Sequence, residues 1–431
     1  MGNEKNINSR DKKSSKGEEK NYDFIRETIK NRPLDKKRLL YRIGALAGAG
    51  IIIGVTAALA FSVAAPRLVR KLDEGKQQAK IDIPQDDPSV TPTATPVPVV
   101  MPSEESAMEQ AERAYQEALQ ISEEPRKAIV SVVGQKEKED ILDNTLLTSG
   151  KAMGIIILED YRDYYILTQQ TAVKKAENIQ VTFQDGTIVN GAIKKSDSRT
   201  DLAVVTVHKR DVDKKTQEGV SVAVLGNSYS LIQGKTVIAI GSPSGYDDSV
   251  YFGTITSVSN KVAVTDTEYN LLITDILGSQ QGSGVLLDTD GEVIGLIAQD
   301  YGDEKNESKT MVKALAVSQL KPLIETLSNG EAIQYLGVRG KDISENVSNS
   351  IDIPQGVYVK SVEDNSPAME AGLQSGDVIQ KIDGKEIETM QQYSSQLQKC
   401  EGGQKVSLTV MRSKGAEGYA EMKIEAEVES R

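Results

Sequence analysis

Two side chains that often do acid–base or covalent chemistry, the imidazole and the thiol, each occur only once in this 431-residue chain. His208 is the only histidine and Cys400 the only cysteine. One histidine excludes metal sites built from two or more imidazoles, and the sequence predicts neither a metal nor a cofactor. One cysteine cannot form an internal disulfide, so the fold must depend on its hydrophobic core.

Length and charge narrow the class of protein further. A chain of 431 residues is too long for one compact core and fits two domains of ordinary size with tails and linkers. The formal net charge of -12 argues against a nucleic-acid binder, because a surface that reads phosphates needs an excess of lysine and arginine. Peptides or proteins are therefore the favoured partners.

The first hundred residues predict a tail, a membrane anchor and a spacer. Residues 1–42 are polar and mixed in charge, which is typical of a disordered tail. Residues 43–65 carry no charge and are long enough, as a helix, to cross a hydrocarbon core of roughly 30 Å. A cleaved signal peptide is the competing interpretation, but the length of the tail and of the apolar run favours a retained transmembrane helix. Residues 66–102 include a stretch rich in proline and threonine, which predicts an extended spacer that lifts the rest off the membrane.

A helical segment is predicted over residues 103–125. Ser106 followed by Glu109 makes a capping box at its start. Four apolar side chains follow at helical spacing and form one stripe: Met108, Ala111, Tyr115 and Ala118. We expect the stripe to dock on the next domain, and pairing with copies of itself is the alternative.

Two domains are predicted beyond this helix. Residues 126–330 contain short β-rich runs separated by turn residues, a pattern typical of a sandwich or barrel. A helix capped by Ser318 and stopped at Asn329-Gly330 marks the boundary. Residues 331–431 form a smaller unit of strands and two short helices.

Three stretches of the middle domain resemble the HtrA/DegP family of envelope serine proteases, whose catalytic part is a trypsin-like double β-barrel. They are 196–205 (SDSRTDLAVV), 239–258 (with AIGSPSG and GTITSV) and 274–295 (with TD, GSG and DGEVIG). The C-terminal unit resembles the PDZ domain attached to this family, through YLGV at 335–338, SPA at 366–368 and GDVI at 376–379. The resemblance implies a mainly β fold, a trypsin-like double β-barrel followed by a PDZ domain, with an N-terminal transmembrane helix.

The resemblance places the triad aspartate at Asp201 and puts Thr171, within the run TQQTAV, where the family has its catalytic histidine. A threonine hydroxyl cannot act as a general base near neutral pH. His208 cannot replace it, because it lies about 20 Å from Asp201 along the same predicted strand. Lys174 and Lys175 could in principle form a serine–lysine dyad, but exposed lysines stay protonated. We therefore expect Asp201 to be a structural remnant that hydrogen-bonds Thr171.

The nucleophile loop also departs from the family pattern. Between Asp275 and Asp290 the chain is one residue shorter than the family's loop, so either Ser283 or Gly282 occupies the nucleophile position. With Ser283 there, Gln281 replaces the usual glycine two residues earlier, whose backbone N–H should help form the oxyanion hole.

The PDZ resemblance implies that an extended peptide adds to a sheet edge while a backbone loop receives its terminal carboxylate. The predicted loop residues are Tyr335, Leu336, Gly337 and Val338. Tyr393 and Leu397, four apart on a helix, either line the side-chain pocket or belong to the core.

The functional prediction is a membrane-anchored HtrA-like pseudoprotease. It would bind unfolded or C-terminal peptide segments of envelope proteins, as a sensor, scaffold or holdase, with vestigial catalytic positions at Thr171, Asp201 and Ser283. An active endopeptidase with a non-standard base and a purely structural assembly module are the alternatives. The resemblance further implies a bacterial envelope, a homo-trimer, a cytoplasmic N-terminus and two extracytoplasmic domains.

Overall fold

The computed structural model of the protein describes residues 80–88, 107–137, 146–301 and 311–431. These residues lie within one compact unit, Lys80–Arg431. The predicted tail 1–42 and transmembrane helix 43–65 fall outside the described ranges. Inside those ranges, no helix combines the length and the hydrophobicity that crossing a bilayer requires.

Six antiparallel strands close into a first barrel in the order β1-β2-β3-β6-β5-β4. They are β1 (Ile129–Glu137), β2 (Leu146–Glu159), β3 (Asp163–Gln169), β4 (Asn178–Thr182), β5 (Ile188–Asp197) and β6 (Leu202–His208). β-Branched residues, which suit a pleated surface buried on one side, fill its centre. Ile156, Ile166 and Val204 are fully buried there.

A second closed barrel follows the first, in the order β10-β11-β12-β9-β8-β7. Its strands are β7 (Thr236–Ser242), β8 (Ser249–Val264), β9 (Thr267–Leu277), β10 (Ser283–Leu287), β11 (Val293–Ile297) and β12 (Met311–Ala316). β7 and β10 approach each other closely where Gly241 pairs with Gly284. Both glycines have positive φ, +112° and +128°. A Cβ on Gly284 would lie 2.1 Å from the Ile240 oxygen, so only glycine fits. The two barrels confirm the predicted fold.

Helices of the barrel region are α1 (Ala107–Arg126), α2 (Gln170–Val173), α3 (Lys214–Gly219) and α4 (Val317–Asn329), with 3₁₀ turns at Lys209–Asp211 and Ser228–Ser230. α1 packs against β7 and β8. Only its C-terminal half is buried, through Ala118 and Ser122, whereas Met108 and Tyr115 are 80% and 45% exposed. The predicted stripe therefore docks at one end only, and Ser106 of the predicted capping box lies outside the described residues.

α4 ends as predicted, at Gly330 with φ +69°, but it does not begin as predicted. Its N-cap is Ala316, and Ser318 lies within the first turn. The Ser318 hydroxyl does not cap the helix, because it donates to the carboxylate of Asp86 at 2.5 Å. The backbone N–H of Ser228 also donates to the Ser318 hydroxyl, at 2.7 Å.

Residues 80–88, predicted as part of the spacer, lie against α4. Ile83 is 8% exposed. The N–H of Ile81 donates to the side chain of Asn329 at 2.9 Å. Lys321, itself buried, forms an ion pair with Asp86 at 2.8 Å. Over these nine residues the predicted spacer is therefore extended but packed against the barrel unit.

The C-terminal domain has the predicted PDZ architecture. Its strands are β13 (Gln334–Tyr335), β14 (Val338–Ile343), β15 (Gly356–Val362), β16 (Val378–Ile382), β17 (Lys385–Glu386), β18 (Lys405–Ser413), β19 (Tyr419–Glu427) and β20 (Glu429–Ser430). It has three helices where two were predicted, α5 (Glu345–Ile351), α6 (Pro367–Glu370) and α7 (Met390–Leu397), with a 3₁₀ turn at Gly415–Glu417. The main sheet has the order β14-β15-β16-β18-β19, β17 pairs with β16, and β13 pairs with β20. β14 is thus an edge strand, and Leu408 and Val410 lie in the core.

Candidate functional site

Thr171 and Asp201 meet where β3 ends and β6 begins, because Gln169 pairs with Leu202. The Thr171 backbone N–H donates to Asp201 Oδ1 at 2.8 Å, and its hydroxyl donates to Oδ2 at 3.0 Å. Burial raises the pKa of Asp201, and the two hydrogen bonds from Thr171 act against that rise. The expected hydrogen bond is present, and it joins the carboxylate to a hydroxyl that cannot accept a proton near neutral pH.

His208 lies at the opposite end of β6, paired with Asp163 of β3. Its Nδ1 contacts the Asp163 carboxylate, and its side chain is 43% exposed. Five strand residues lie between it and Leu202, which follows Asp201. The one imidazole of the chain is therefore held away from the Thr171–Asp201 pair. Lys174 and Lys175, the other candidate bases, are exposed.

Ser283 is the first residue of β10, and only 3% of it is exposed. Its hydroxyl accepts a hydrogen bond of 2.9 Å from the backbone N–H of Met153 in β2. This contact joins the two barrels. A buried hydroxyl that satisfies a backbone donor has a structural role in this arrangement.

The loop before Ser283 is closed by its own hydrogen bonds, centred on Ser279. The Ser279 N–H donates to the Pro243 oxygen at 2.9 Å, and the Gly282 N–H donates to the Ser279 oxygen at 2.8 Å. The Gln281 N–H, which would serve the oxyanion hole of a Ser283 nucleophile, donates to the Ser279 hydroxyl at 3.3 Å. A Cβ on Gly282 would lie 2.3 Å from the Pro243 oxygen, so a serine cannot replace it without moving the backbone. Sequence reasoning missed Ser279 and Pro243, since a serine and a proline in a loop carry no signal of this role.

A cleft of about 220 Å³ lies beside Asp201 between the barrels. Its polar lining consists of hydroxyl, carboxyl, amide and phenol groups on Gln169, Thr200, Asp201, Gln299, Asp300 and Tyr301, and its other lining residues are Leu202, Leu296, Ile297, Ala298 and Leu315. Over the described ranges, no group of three or more His, Cys, Asp or Glu side chains could hold a metal ion. No imidazole lines the cleft.

Four of the six predicted peptide-binding residues converge on one carboxylate, that of Asp266 in the turn between β8 and β9. The backbone N–H groups of Leu336, Gly337 and Val338 donate to it at 3.0, 2.9 and 2.9 Å. The Tyr393 hydroxyl donates to it at 3.0 Å. Burial raises the pKa of Asp266, and the three backbone donors oppose the rise. The predicted loop is thus built to hold a carboxylate.

Tyr335 and Leu397 do not face this carboxylate site. The Tyr335 hydroxyl donates to Glu363 at 3.0 Å, and the Arg431 guanidinium lies 3.2 Å from the centre of its ring. Leu397 is fully buried in the PDZ core. Asp266 itself was missed, because an aspartate in a β-turn is common and gives no sign of a distant partner.

Comparison with known families places the same two domains on the chain. The model of the trypsin-like peptidase domain matches residues 152–296, and that of the PDZ domain matches residues 334–425. Serine protease Do-like HtrA of Bacillus subtilis is 31% identical over 300 residues, which are 65% of this chain and 65% of that protein. Serine protease Do-like HtrB of the same organism is 32% identical over 310 residues, covering 65% and 66%. A probable periplasmic serine endoprotease DegP-like of Halomonas elongata is 29% identical over 265 residues, covering 60% and 53%. The chain thus spans from about half to about two thirds of the length of these relatives.

Solved structures share the fold. HtrA-type protease AlgW with a decapeptide superposes with a TM-score of 0.52 at 22% identity, covering 73% of this chain and 98% of that one. AlgW with a tripeptide gives 0.52 at 23% identity, covering 73% and 97%.

Proposed function

We propose that this chain, a homologue of the HtrA/DegP proteins with a trypsin-like peptidase domain and a PDZ domain, is a pseudoprotease that binds peptides without cleaving them. The observation that carries the proposal is the hydrogen bond from the Thr171 hydroxyl to Asp201, at the place where a triad holds its imidazole. Removing the base of a serine triad costs several orders of magnitude in rate.

Two further departures from an acyl-transfer site support the proposal. The Ser283 hydroxyl is buried and engaged with Met153, whereas a nucleophile must reach a substrate carbonyl. The Gln281 N–H is engaged with Ser279, whereas an oxyanion hole needs its donors free and aimed at the substrate. The base is absent because residue 171 is a threonine, and the candidate nucleophile and oxyanion donor are each engaged by a separate contact, so a single rotamer change would not restore all three.

The proposed ligands are unfolded or C-terminal peptide segments of envelope proteins, bound at the edge of β14. The donors at Leu336, Gly337 and Val338 have the geometry that a terminal carboxylate requires. Peptides of ten and three residues accompany AlgW in its solved structures, which is a property of that protein. In this role the protein would serve as a sensor, scaffold or holdase in envelope protein quality control.

We also propose a cellular location and an oligomeric state. Residues 43–65 would anchor the chain in the cell membrane as a single helix, with the N-terminus in the cytoplasm and both domains outside it. The family resemblance supports a homo-trimer.

An active serine endopeptidase with an unusual base is the second candidate. The observation that favours it is the naming of the relatives as serine proteases. A purely structural assembly module remains the third interpretation.

The three candidates separate in one experiment on the full chain in detergent micelles. Hydrolysis of fluorescein-labelled casein and binding of a labelled peptide with a hydrophobic C-terminus are measured for wild type and for Ser283→Ala. We expect binding in both proteins and no hydrolysis in wild type above the Ser283→Ala level. Hydrolysis that Ser283→Ala abolishes would establish the endopeptidase. If wild type shows neither hydrolysis nor binding, the structural module is the candidate that remains.

A further inference from the structure

The turn between β8 and β9 lies where the PDZ domain would receive an extended peptide. β14 is the edge strand of its sheet, and α7 packs against it. The Asp266 backbone N–H donates to the Val338 oxygen at the start of β14, at 2.7 Å. The Tyr393 hydroxyl of α7 donates to the Asp266 carboxylate. The turn therefore contacts both walls of the groove, and its backbone donates one hydrogen bond to the edge strand to which a peptide would add.

Asp266 fills the place of a terminal carboxylate. Consecutive backbone N–H groups around a glycine of positive φ make a concave site for an anionic oxygen, and Gly337 has φ +92°. A peptide C-terminus would need the donors of Leu336, Gly337 and Val338, all of which now point at Asp266. Asp266 is 1% exposed, so no space remains for a second carboxylate beside it.

We infer that the β8–β9 turn is a built-in ligand of the PDZ domain, and that a peptide with a free C-terminal carboxylate binds by displacing Asp266. The inference rests on the proposed peptide-binding function and adds its regulation. Without peptide, the barrel domain occupies the groove. A peptide opens the groove only if its terminal carboxylate and extended backbone bind there more strongly than the β8–β9 turn does. The second barrel and the PDZ domain separate at this contact when the peptide is bound.

Two cationic side chains hold the turn in the groove. The Lys261 ammonium on β8 bridges Glu268 of β9 at 2.6 Å and Asp342 of β14 at 2.7 Å. Arg199 of the first barrel lies 3.8 Å from Asp266 Oδ2 and donates to the Thr265 oxygen at 3.3 Å. Arg199 is two residues from Asp201, so the vestigial catalytic segment and the PDZ groove are tied to the same turn.

Peptide affinity of matched variants tests the displacement. Asp266→Asn keeps the side-chain volume, and asparagine tolerates the left-handed backbone at φ +62°. Its amide replaces one acceptor oxygen by an NH₂ group, which faces the backbone N–H donors of the loop and cannot accept from them. Lys261→Gln loosens the turn without touching the carboxylate loop, and it keeps the test open if Asp266→Asn does not fold. Asp248→Asn is the control, because Asp248 also has positive φ (+57°) in a hairpin turn of the second barrel but pairs with Arg126.

The probe is a fluorescein-labelled decapeptide ending in valine, with either a free carboxylate or an amide, titrated into the full chain in detergent micelles and followed by anisotropy. The apparent affinity is proportional to the fraction of protein whose groove is open. A variant that opens the groove therefore binds the peptide more tightly. We expect Asp266→Asn to bind the free carboxylate at least about tenfold more tightly than wild type. Lys261→Gln should gain less, Asp248→Asn should match wild type, and the amide should bind weakly throughout.

The outcomes distinguish the two proposals. Equal affinity of wild type, Asp266→Asn and Lys261→Gln for the carboxylate peptide would overturn the displacement and leave the peptide-binding function standing. Absence of binding in every variant would overturn the peptide-binding function, and the displacement with it. Equal gains for the carboxylate and the amide would show that the groove opens but that Asp266 does not stand in for a chain end, which also overturns the inference.

Discussion

Replacing Thr171 by histidine is the most direct attempt to rebuild the missing base. Thr171 is exposed, so the larger imidazole has room, and Asp201 is already placed to accept a ring N–H. We nevertheless expect little activity from Thr171→His. The nucleophile and the oxyanion donor would still be engaged elsewhere, because those contacts do not depend on Thr171.

The size of the remaining deficit follows from two contacts. One missing oxyanion donor, here the Gln281 N–H bound to Ser279, costs about 10²–10³ in kcat. Freeing the Ser283 hydroxyl from the Met153 N–H breaks a buried hydrogen bond worth about 1 kcal/mol, roughly a further fivefold. Thr171→His should therefore remain about 10³-fold or more below an intact serine endopeptidase.

Hydrolysis of labelled casein by the full chain measures the deficit. The matched controls are Thr171→Ala, which removes the hydroxyl without adding an imidazole, and the double variant Thr171→His with Ser283→Ala. Turnover of about 1 s⁻¹ in Thr171→His, lost in the double variant, would contradict this expectation. Such a result would mean that the loop rearranges into a competent oxyanion hole.

Three other predictions concern the PDZ loop, the vestigial aspartate and the domain boundary. Gly337→Pro removes a backbone donor, and proline cannot adopt φ +92°, so peptide affinity should fall at least about tenfold. Thermal unfolding followed by circular dichroism should still show the cooperative transition of the barrels. Asp201 has a raised pKa, so ionising it costs stability above its ordinary pKa of 3.8 and costs nothing below it. Asp201→Asn should accordingly raise the Tm at pH 7 by at most about 3 °C, and a gain that grows as the pH falls below 4 would contradict the sign. Fragments 80–431 and 103–431 lack the apolar run and should both be soluble. The shorter fragment should melt about 5 °C or more lower, because it loses Asp86 and leaves the Lys321 charge buried without its partner; equal Tm values would exclude this role.

Much of the fold was predictable because its signals are local. Short β-branched runs between turn residues indicated the barrel strands, and the run 196–205 carried part of the family resemblance. The Thr171–Asp201 hydrogen bond was predictable from the family resemblance, which put these two residues at the positions of the catalytic histidine and aspartate. In the structure, the pairing of Gln169 with Leu202 brings them together, although β3 and β6 are not consecutive strands.

The remaining features depend on contacts that join distant parts of the chain. The burial of the Ser283 hydroxyl depends on how β10 meets Met153 across the barrel interface, which strand periodicity does not encode. Asp266 acquires its role only because the PDZ domain docks on the second barrel. Residues 80–88 have the composition of a spacer, but an extended chain can also lie along a helix, as they do on α4.

Reaction of the full chain with a fluorophosphonate probe tests the absence of an activated serine most directly. The probe labels serines that a base has made nucleophilic and needs no knowledge of the natural substrate. We expect no labelling of wild type above that of Ser283→Ala, at any pH from 6 to about 9. Stoichiometric labelling of wild type that Ser283→Ala abolishes would be the opposite result, and would show that a base other than an imidazole activates Ser283.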